Sequence, residues 1–214
     1  MIELNKIYNE DCLQTMAKMD DESVDLVLTD PPYGIGETNE RNMSREKCSI
    51  PTNYGHYDWD SDKIPMNYFY EIQRISKNQI IFGGNYYDLG PTSCYVVWDK
   101  DNTGNFADAE LAWTSFKSAV RIFKFRWNGM LQENMKNKEK RYHPTQKPVE
   151  LIRQILDKYS SPIETIYDPF VGSGSILLAA QKLGHDWIGS EISQEYVDLA
   201  NKRIQPYLDQ QTLF

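Results

Sequence analysis

Val24-Asp25-Leu26-Val27-Leu28-Thr29-Asp30-Pro31-Pro32-Tyr33 is the stretch on which the reading of this chain turns. Its first half is an apolar-dominated run of about strand length. Its last four residues cannot continue a strand, because Pro31 and Pro32 lack the N–H that a sheet ladder requires and each fixes its own φ. The predicted unit is a buried strand ending in a rigid turn, with the Asp30 carboxylate and the Tyr33 ring at its mouth. Taken alone, Asp-Pro-Pro-Tyr reads better as a common Pro-rich turn opened by Asp.

A second motif supplies the rest of a site. Thr165-Ile166-Tyr167 reads as a strand leading into Asp168-Pro169-Phe170-Val171-Gly172-Ser173-Gly174-Ser175, and a helix follows to Leu183, closed by Gly184. Glycine in such a turn lets the backbone approach a ligand, and the helix start offers free N–H groups. A lone Gly-x-Gly is weak, since strand-to-helix turns often need glycine, but Glu191 stands 19 residues after Gly172 at the tip of the next strand. An acidic residue there takes the hydroxyls of a ribose. Ile176 and Leu177 stand where a dinucleotide motif would carry its third glycine, so a nucleoside without pyrophosphate fits better than NAD.

Around these motifs the chain alternates strands and helices. Leu4–Tyr8 (strand), Leu13–Met19 (helix) and Val24–Thr29 form a predicted βαβ unit. Gly34–Asp62 is polar and irregular, and its position directly after the turn suggests a lid. A helix over Pro65–Ser76 and strands at Gln79–Phe82 and Cys94–Trp98 come next. Glu110–Phe116 and Ala119–Trp127 suggest a hairpin with one basic and one aromatic face, or else an ordinary edge hairpin. Pro148 fits the first position of a helix to about Tyr159, and a last helix runs from Gln194 to about Ile204, with the tail after Pro206 expected to fray.

The 214 residues suffice for one domain, and 40% hydrophobic with 25% charged residues is ordinary for a soluble protein. No apolar run approaches membrane-spanning length and the start is no signal peptide, so a cytoplasmic location without membrane contact is expected. Cys12, Cys48 and Cys94 lack metal-ligand spacing, and no metal is expected. The net charge of −8 is uneven: residues 115–147 carry +7 and the remainder −15. A basic segment on an acidic body suits a local phosphate-binding surface, and Lys117, Arg121, Lys124, Arg126, Lys136, Lys138, Lys140 and Arg141 are its candidate nucleic-acid contacts. A solvated loop of mixed charge is the competing account of Lys136–Arg141.

Taken together, Asp30–Tyr33 and Phe170–Gly174 resemble the catalytic and cofactor motifs of the β group of amino-methylating DNA methyltransferases, which act on adenine N6 or cytosine N4. The resemblance covers nearly the whole chain. It implies an α/β, Rossmann-like, S-adenosylmethionine-dependent fold with a mostly parallel seven-stranded sheet. The catalytic turn precedes the cofactor loop, so the fold is circularly permuted and the Leu4–Tyr8 strand completes the sheet from the other end of the chain. Residues 1–98 would be the catalytic half, 99–142 a small target-recognition insertion and 143–214 the cofactor half.

Residue by residue, the resemblance makes Asp30, Pro31, Pro32 and Tyr33 the catalytic turn. It places Asp11 and Cys12 at the adenine ring of the cofactor, and His143, Thr145, Gln146 and Lys147 near its methionine part. Asp168, Phe170, Gly172, Ser173, Gly174 and Ser175 form its loop, Glu191 and Ile192 hold its ribose end, and Asp30 borders it. The implied reaction places a methyl group on the N6 amine of an adenine flipped out of DNA. Asp at position 30 is the more typical residue of adenine enzymes, Ser of cytosine enzymes. N4-cytosine methylation is the alternative, followed by a non-catalytic DNA-binding regulator. A homodimer is compatible with the group, and a cognate restriction enzyme would be a separate chain.

Overall fold

The computed structural model describes residues 2–34, 63–102, 107–128, 131–142, 145–159 and 163–211. The proposed lid, Gly34–Asp62, lies outside these residues apart from Gly34. In chain order the elements are β1 (Lys6–Tyr8), α1 (Cys12–Met16), β2 (Val24–Thr29), α2 (Met66–Ile75), β3 (Ser76–Phe82) and a short 3-10 turn (Gly84–Tyr86). Next come β4 (Tyr95–Asp99), β5 (Ala109–Thr114), β6 (Arg121–Lys124), β7 (Trp127–Asn128) and β8 (Leu131–Gln132). The chain closes with α3 (Val149–Tyr159), β9 (Thr165–Asp168), α4 (Ser175–Leu183), β10 (Asp186–Ser190) and α5 (Gln194–Gln211).

One sheet of eight strands in the order β1-β10-β9-β2-β3-β5-β4-β6 organises these elements. Only β5 runs against the others, pairing antiparallel with β3 and β4, so the sheet is mostly parallel as expected. β2 is buried along nearly its whole length, as its apolar sequence requires of a central strand. Its exception is Asp25, at the amino end, which ties the neighbouring strands: it accepts from the Glu164 and Thr165 N–H groups at 2.9 and 3.0 Å and pairs with Lys77 at 2.7 Å. Successive β2 residues face opposite ways. Leu26 and Leu28 join the core built with α3, α4 and α5, and Val27 joins the core built with α1 and α2. The sheet is thus covered on both faces.

The chain ends meet as the permuted reading requires. β1 pairs parallel with β10 (Lys6↔Ile188 to Tyr8↔Ser190), and β9 lies between β10 and β2. From β9 the chain proceeds outward one way through α4 to β10, and from β2 outward the other way through α2 to β3. The sheet therefore reverses its winding between β9 and β2, and a crevice opens beyond their carboxyl ends.

Several expectations are corrected. The eighth strand, β6, exceeds the seven expected. The stretches 110–116 and 119–127 do not form a hairpin with each other. Both edges of β5 are taken, by β3 and by β4, so β6 settles parallel on the outer edge of β4, from Val96↔Arg121 to Asp99↔Lys124. Residues 99–142 accordingly contribute β5 and β6 to the main sheet, with β7 and β8 paired beside it. β3 starts at Ser76, directly off α2, because Ser76 pairs with Val24. The last helix does not end near Ile204; it passes Pro206 to Gln211, because Tyr207 and Leu208 pack against the core and the Lys182 ammonium sits 4.6 Å from the Tyr207 ring centre.

Pro206 is exposed and removes one N–H from the interior of α5. Pro206→Ala is therefore expected to stabilise the fold by about 1–3 kcal/mol, the interior-proline penalty less the entropy restored to the unfolded chain. Thermal denaturation monitored by circular dichroism measures it, and an unchanged or lower midpoint would contradict a regular helix at this point.

Candidate active site

The crevice beyond β2 and β9 is a cavity of about 290 Å³. It brings together eleven of the expected cofactor residues: Asp30, Thr145, Gln146, Lys147, Asp168, Phe170, Gly172, Ser173, Ser175, Glu191 and Ile192. Pro32 lines it too, with Val171, Ile176, Ser193 and Tyr196 beside them. Gly174, Asp11 and Cys12 are not among the lining residues. Gly174 instead allows α4 to close on α5, since a Cβ there would lie 2.7 Å from the Ala200 Cβ. Asp11 caps α1 through the Leu13 N–H (2.8 Å) and accepts from the Tyr68 hydroxyl (2.8 Å), while Cys12 is buried. His143 lies outside the described residues.

The glycine loop and Glu191 are built together. One Glu191 oxygen accepts from the Gly172 N–H and the other from the Ser193 N–H, both at 2.9 Å. Each carboxylate oxygen keeps a further lone pair for a ligand hydroxyl. Burial pushes the Glu191 carboxyl up, and those N–H groups oppose it. Gly172 has φ +48°, and a Cβ built on it would meet nothing within 4 Å, so the loop leaves open space there. These features fit a nucleoside.

Asp168 ends β9 and is fully buried. One of its oxygens accepts from the Thr29 hydroxyl (2.9 Å) and the Phe170 N–H (3.1 Å); the other, also buried, has no hydrogen-bond partner. Burial pushes this carboxyl up to about 7. Such a lone buried oxygen is a natural seat for a cationic group of a ligand.

The Asp-Pro-Pro-Tyr turn departs from β2 beside it. The Tyr33 hydroxyl donates to Asp30 Oδ1, and the Lys147 ammonium donates to Asp30 Oδ2 at 2.6 Å. Pro31 is buried, and the Pro32 carbonyl accepts from the Tyr87 hydroxyl, which anchors the turn. The Tyr33 ring stacks on Tyr86 with centres 5.1 Å apart and lies against Gly83, where a Cβ would fall 2.0 Å from its Cε1. Burial, with the Asp30 and Glu110 charges, holds the Tyr33 phenol well above its ordinary range, so it remains a donor.

Lys147, expected on the cofactor, is committed to carboxylates. It is buried, and its ammonium also approaches Glu110 Oε2 at 3.1 Å, while Lys100 takes Glu110 Oε1 at 2.5 Å. Burial alone would lower Lys147, but Asp30 and Glu110 raise it above its ordinary value. Burial raises Asp30 against the opposing Lys147 charge, while Lys147 and Lys100 outweigh burial at Glu110 and lower it. The four groups form a row of alternating charge.

Sequence reading missed Glu110, Lys100, Gly83, Tyr86, Glu139 and Arg203. Arg203, on α5, is mostly buried, donates to the Ser173 carbonyl of the glycine loop, pairs with Glu139 at 3.1 Å and lies 4.9 Å from the Tyr142 ring centre. Glu139 also accepts from Gln146 (2.8 Å) and from the Val149 N–H (2.9 Å). The basic candidates do not line the cavity. Lys117, Arg121, Lys124 and Arg126 are exposed on or near β6, at the sheet edge, and the last two pair with Asp101. Lys136, Lys138, Lys140 and Arg141 belong to the loop that Glu139 fastens beside the cavity; Lys140 caps the Tyr142 ring at 4.8 Å. Trp127 is buried in the core like Trp98, whose indole donates to the Phe125 carbonyl at 2.8 Å. Among the described residues no helix is long and apolar enough to cross a membrane, and no group of three or more His, Cys, Asp or Glu residues is placed to hold a metal.

Comparison with known proteins places these features in context. A family model described as DNA methylase, of the N6/N4 type, matches residues 92–202. The type II methyltransferase M.HinfI of Haemophilus influenzae is 28% identical over 94% of this chain and 68% of its own length. The type II methyltransferase M1.MboII of Moraxella bovis is 26% identical over 94% of this chain and 96% of its own. The crystal structure of the M1.HpyAVI-SAM complex superposes with a TM-score of 0.54 at 22% identity, covering 92% of this chain and 98% of that one.

Asp168 yields a test that needs no ligand. Its folded pKa of about 7 stands above the unfolded value, so its contribution to stability is full below the unfolded pKa and is lost as pH rises through 7. Asp168→Asn removes the buried charge. The variant should be more stable than the parent by about 2–4 kcal/mol at pH 8, a gain that narrows towards pH 4. Denaturant titrations at the two pH values check it; a pH-independent difference would show that Asp168 does not hold a shifted proton.

Proposed function

This chain belongs to the N6/N4 DNA methylase family, and from that membership we propose that it transfers a methyl group from S-adenosylmethionine to the exocyclic N6 amine of adenine in DNA. The observation that carries the proposal is the shared cavity: the Asp30 turn and the Gly172–Glu191 nucleoside cradle open into one space from adjacent strands. The capture of the cofactor by M1.HpyAVI supports the choice of methyl donor.

The residues present fit that donor. Glu191 would take the ribose hydroxyls, Gly172 gives the chain room, and the unpartnered buried oxygen of Asp168 suits a cationic group. S-adenosylmethionine, when bound, supplies an electrophilic methyl on a sulfonium. The protein's part concerns the other reactant. An exocyclic amine is a poor nucleophile because its lone pair is conjugated with the ring. Asp30 accepts one N–H of that amine and the Pro31 carbonyl the other, which makes the nitrogen more tetrahedral and turns its lone pair outward. Tyr33, packed against Tyr86 and Gly83, fixes the Asp30 carboxylate through its hydroxyl. The rest is orientation and fixed charge, so no covalent intermediate with the protein is needed.

The base must leave the duplex to reach Asp30. The loop fastened by Glu139 carries Lys136, Lys138, Lys140 and Arg141 beside the cavity and is the proposed phosphate contact. Residues 99–142, taken with it, are the proposed recognition region.

Methyl transfer from radiolabelled S-adenosylmethionine to unmethylated DNA, followed by digestion to nucleosides, tests the proposal. Label is expected in N6-methyladenosine; label in N4-methylcytidine would keep the mechanism and change the base, and none in DNA would refute both. Asp30→Ala should lower transfer at least about 100-fold and leave cofactor affinity within about threefold. Gly172→Leu should instead abolish cofactor binding in a calorimetric titration, because its side chain fills the open space and its φ disfavours any L side chain.

A further inference from the structure

Each Asp30 oxygen already accepts one hydrogen bond: Tyr33 donates to Oδ1, and the buried Lys147 ammonium sits on Oδ2 at 2.6 Å, inside the cavity that a substrate amine would enter. The Lys147 ammonium is a nitrogen donor on the same acceptor, and it lines the same cavity. It cannot retreat to water, being 5% exposed. A second acceptor is already in place. Glu110 Oε2 is buried, receives no hydrogen bond and lies 3.1 Å from the Lys147 nitrogen. Its partner oxygen is held by Lys100, so the carboxylate keeps its position whichever way Lys147 turns.

We propose that Glu110 is a positioning residue that takes the Lys147 ammonium when the substrate amine arrives, so that Lys147 and the amine exchange places on Asp30 Oδ2. Resting on the methyltransferase reading, the inference adds a component to it. No charge is created or moved to solvent in the exchange. Lys147 stays protonated between two carboxylates and shifts its hydrogen bond from one to the other, over a separation no larger than a side-chain rotation. In the resting state Glu110 Oε2 has the Lys147 charge beside it but no hydrogen bond from it, and the exchange supplies that hydrogen bond in the substrate-bound state. Before substrate arrives, the Lys147 charge opposes the burial that raises Asp30.

The test is a cycle between a protein residue and a substrate group. Two duplexes carry the site that the parent chain methylates. One keeps the target base; the other has the same ring without its exocyclic amine, purine for adenine or 2-pyrimidinone for cytosine. Binding is measured with S-adenosylhomocysteine present, so that no turnover occurs. The parent should prefer the amine-bearing duplex by about tenfold, the worth of a hydrogen bond to a charged acceptor. In Glu110→Gln the preference should fall below about twofold, because Lys147 no longer leaves Asp30, while affinity for S-adenosylhomocysteine stays within about threefold of the parent. Lys147→Met gives an independent arm: with the competing donor gone, the preference should equal or exceed the parent's. Glu110→Gln keeping the full preference, or Lys147→Met losing it, overturns the inference. The methyltransferase reading itself stands or falls on the parent chain's own transfer to DNA, so the two failures are told apart.

Discussion

The parallel pairing of β2 with β9 is the constraint from which the site follows. Each strand ends in a carboxylate, Asp30 and Asp168, and each then turns away from the sheet through a proline. Because the winding reverses between these strands, no crossover helix covers their carboxyl ends. The crevice is a consequence of topology rather than of any side chain. The side chains decide what may enter it: a glycine loop with Glu191 on one wall, the Asp30 turn on the other.

Placing two carboxylates at adjoining strand ends in a buried setting raises an electrostatic problem, and the structure solves it differently on the two strands. Asp30 is answered by Lys147, which Glu110 and Lys100 continue into a chain of alternating charge. Such a chain offsets desolvation only if every member is held in place. Among the described residues Asp168 receives no cation. It has a hydroxyl and a backbone N–H on one oxygen and nothing on the other, and its carboxyl is pushed up to about 7. The contrast is informative. The turn proposed to orient an amine is charge-balanced by the protein itself, whereas the loop proposed to receive a cationic donor leaves its balance to the ligand.

Much of this was legible in the sequence where the signals are local. The β2 run, the double proline, the helix from Ser175 to Leu183 and its Gly184 cap are each decided by residues within a few positions of one another, and they appear where predicted. What escaped depends on distant pairing. The stretch around β6 has the alternation of a hairpin partner, but its place was set by β3 and β4 occupying both edges of β5, which no local pattern records. α5 survives Pro206 because Tyr207 and Leu208 find core contacts made by other helices. Lys147 carries the signal of a cofactor contact by its motif, yet its acceptor Asp30 lies 117 residues away. Glu110, in a strand of mixed polarity, had no signal of its own.

Arg203 shows how such distant pairs can bind a site into one unit. It sits on α5, beyond both motifs, and its guanidinium reaches the Ser173 carbonyl of the glycine loop and the Glu139 carboxylate 64 residues away. Glu139 in turn accepts from Gln146, which lines the cavity, and from the first N–H of α3. The loop that bears the basic residues is thereby fastened to the loop that cradles the nucleoside through one planar cation. Burial opposes that cation, lowering it from its ordinary value, and Glu139 and the Tyr142 ring offset the penalty. An arginine suits this place because its planar fork spreads its donors over a carbonyl and a carboxylate while its face lies on a ring. The geometry of the cofactor loop and that of the proposed phosphate contact are therefore set by a single residue that belongs to neither motif.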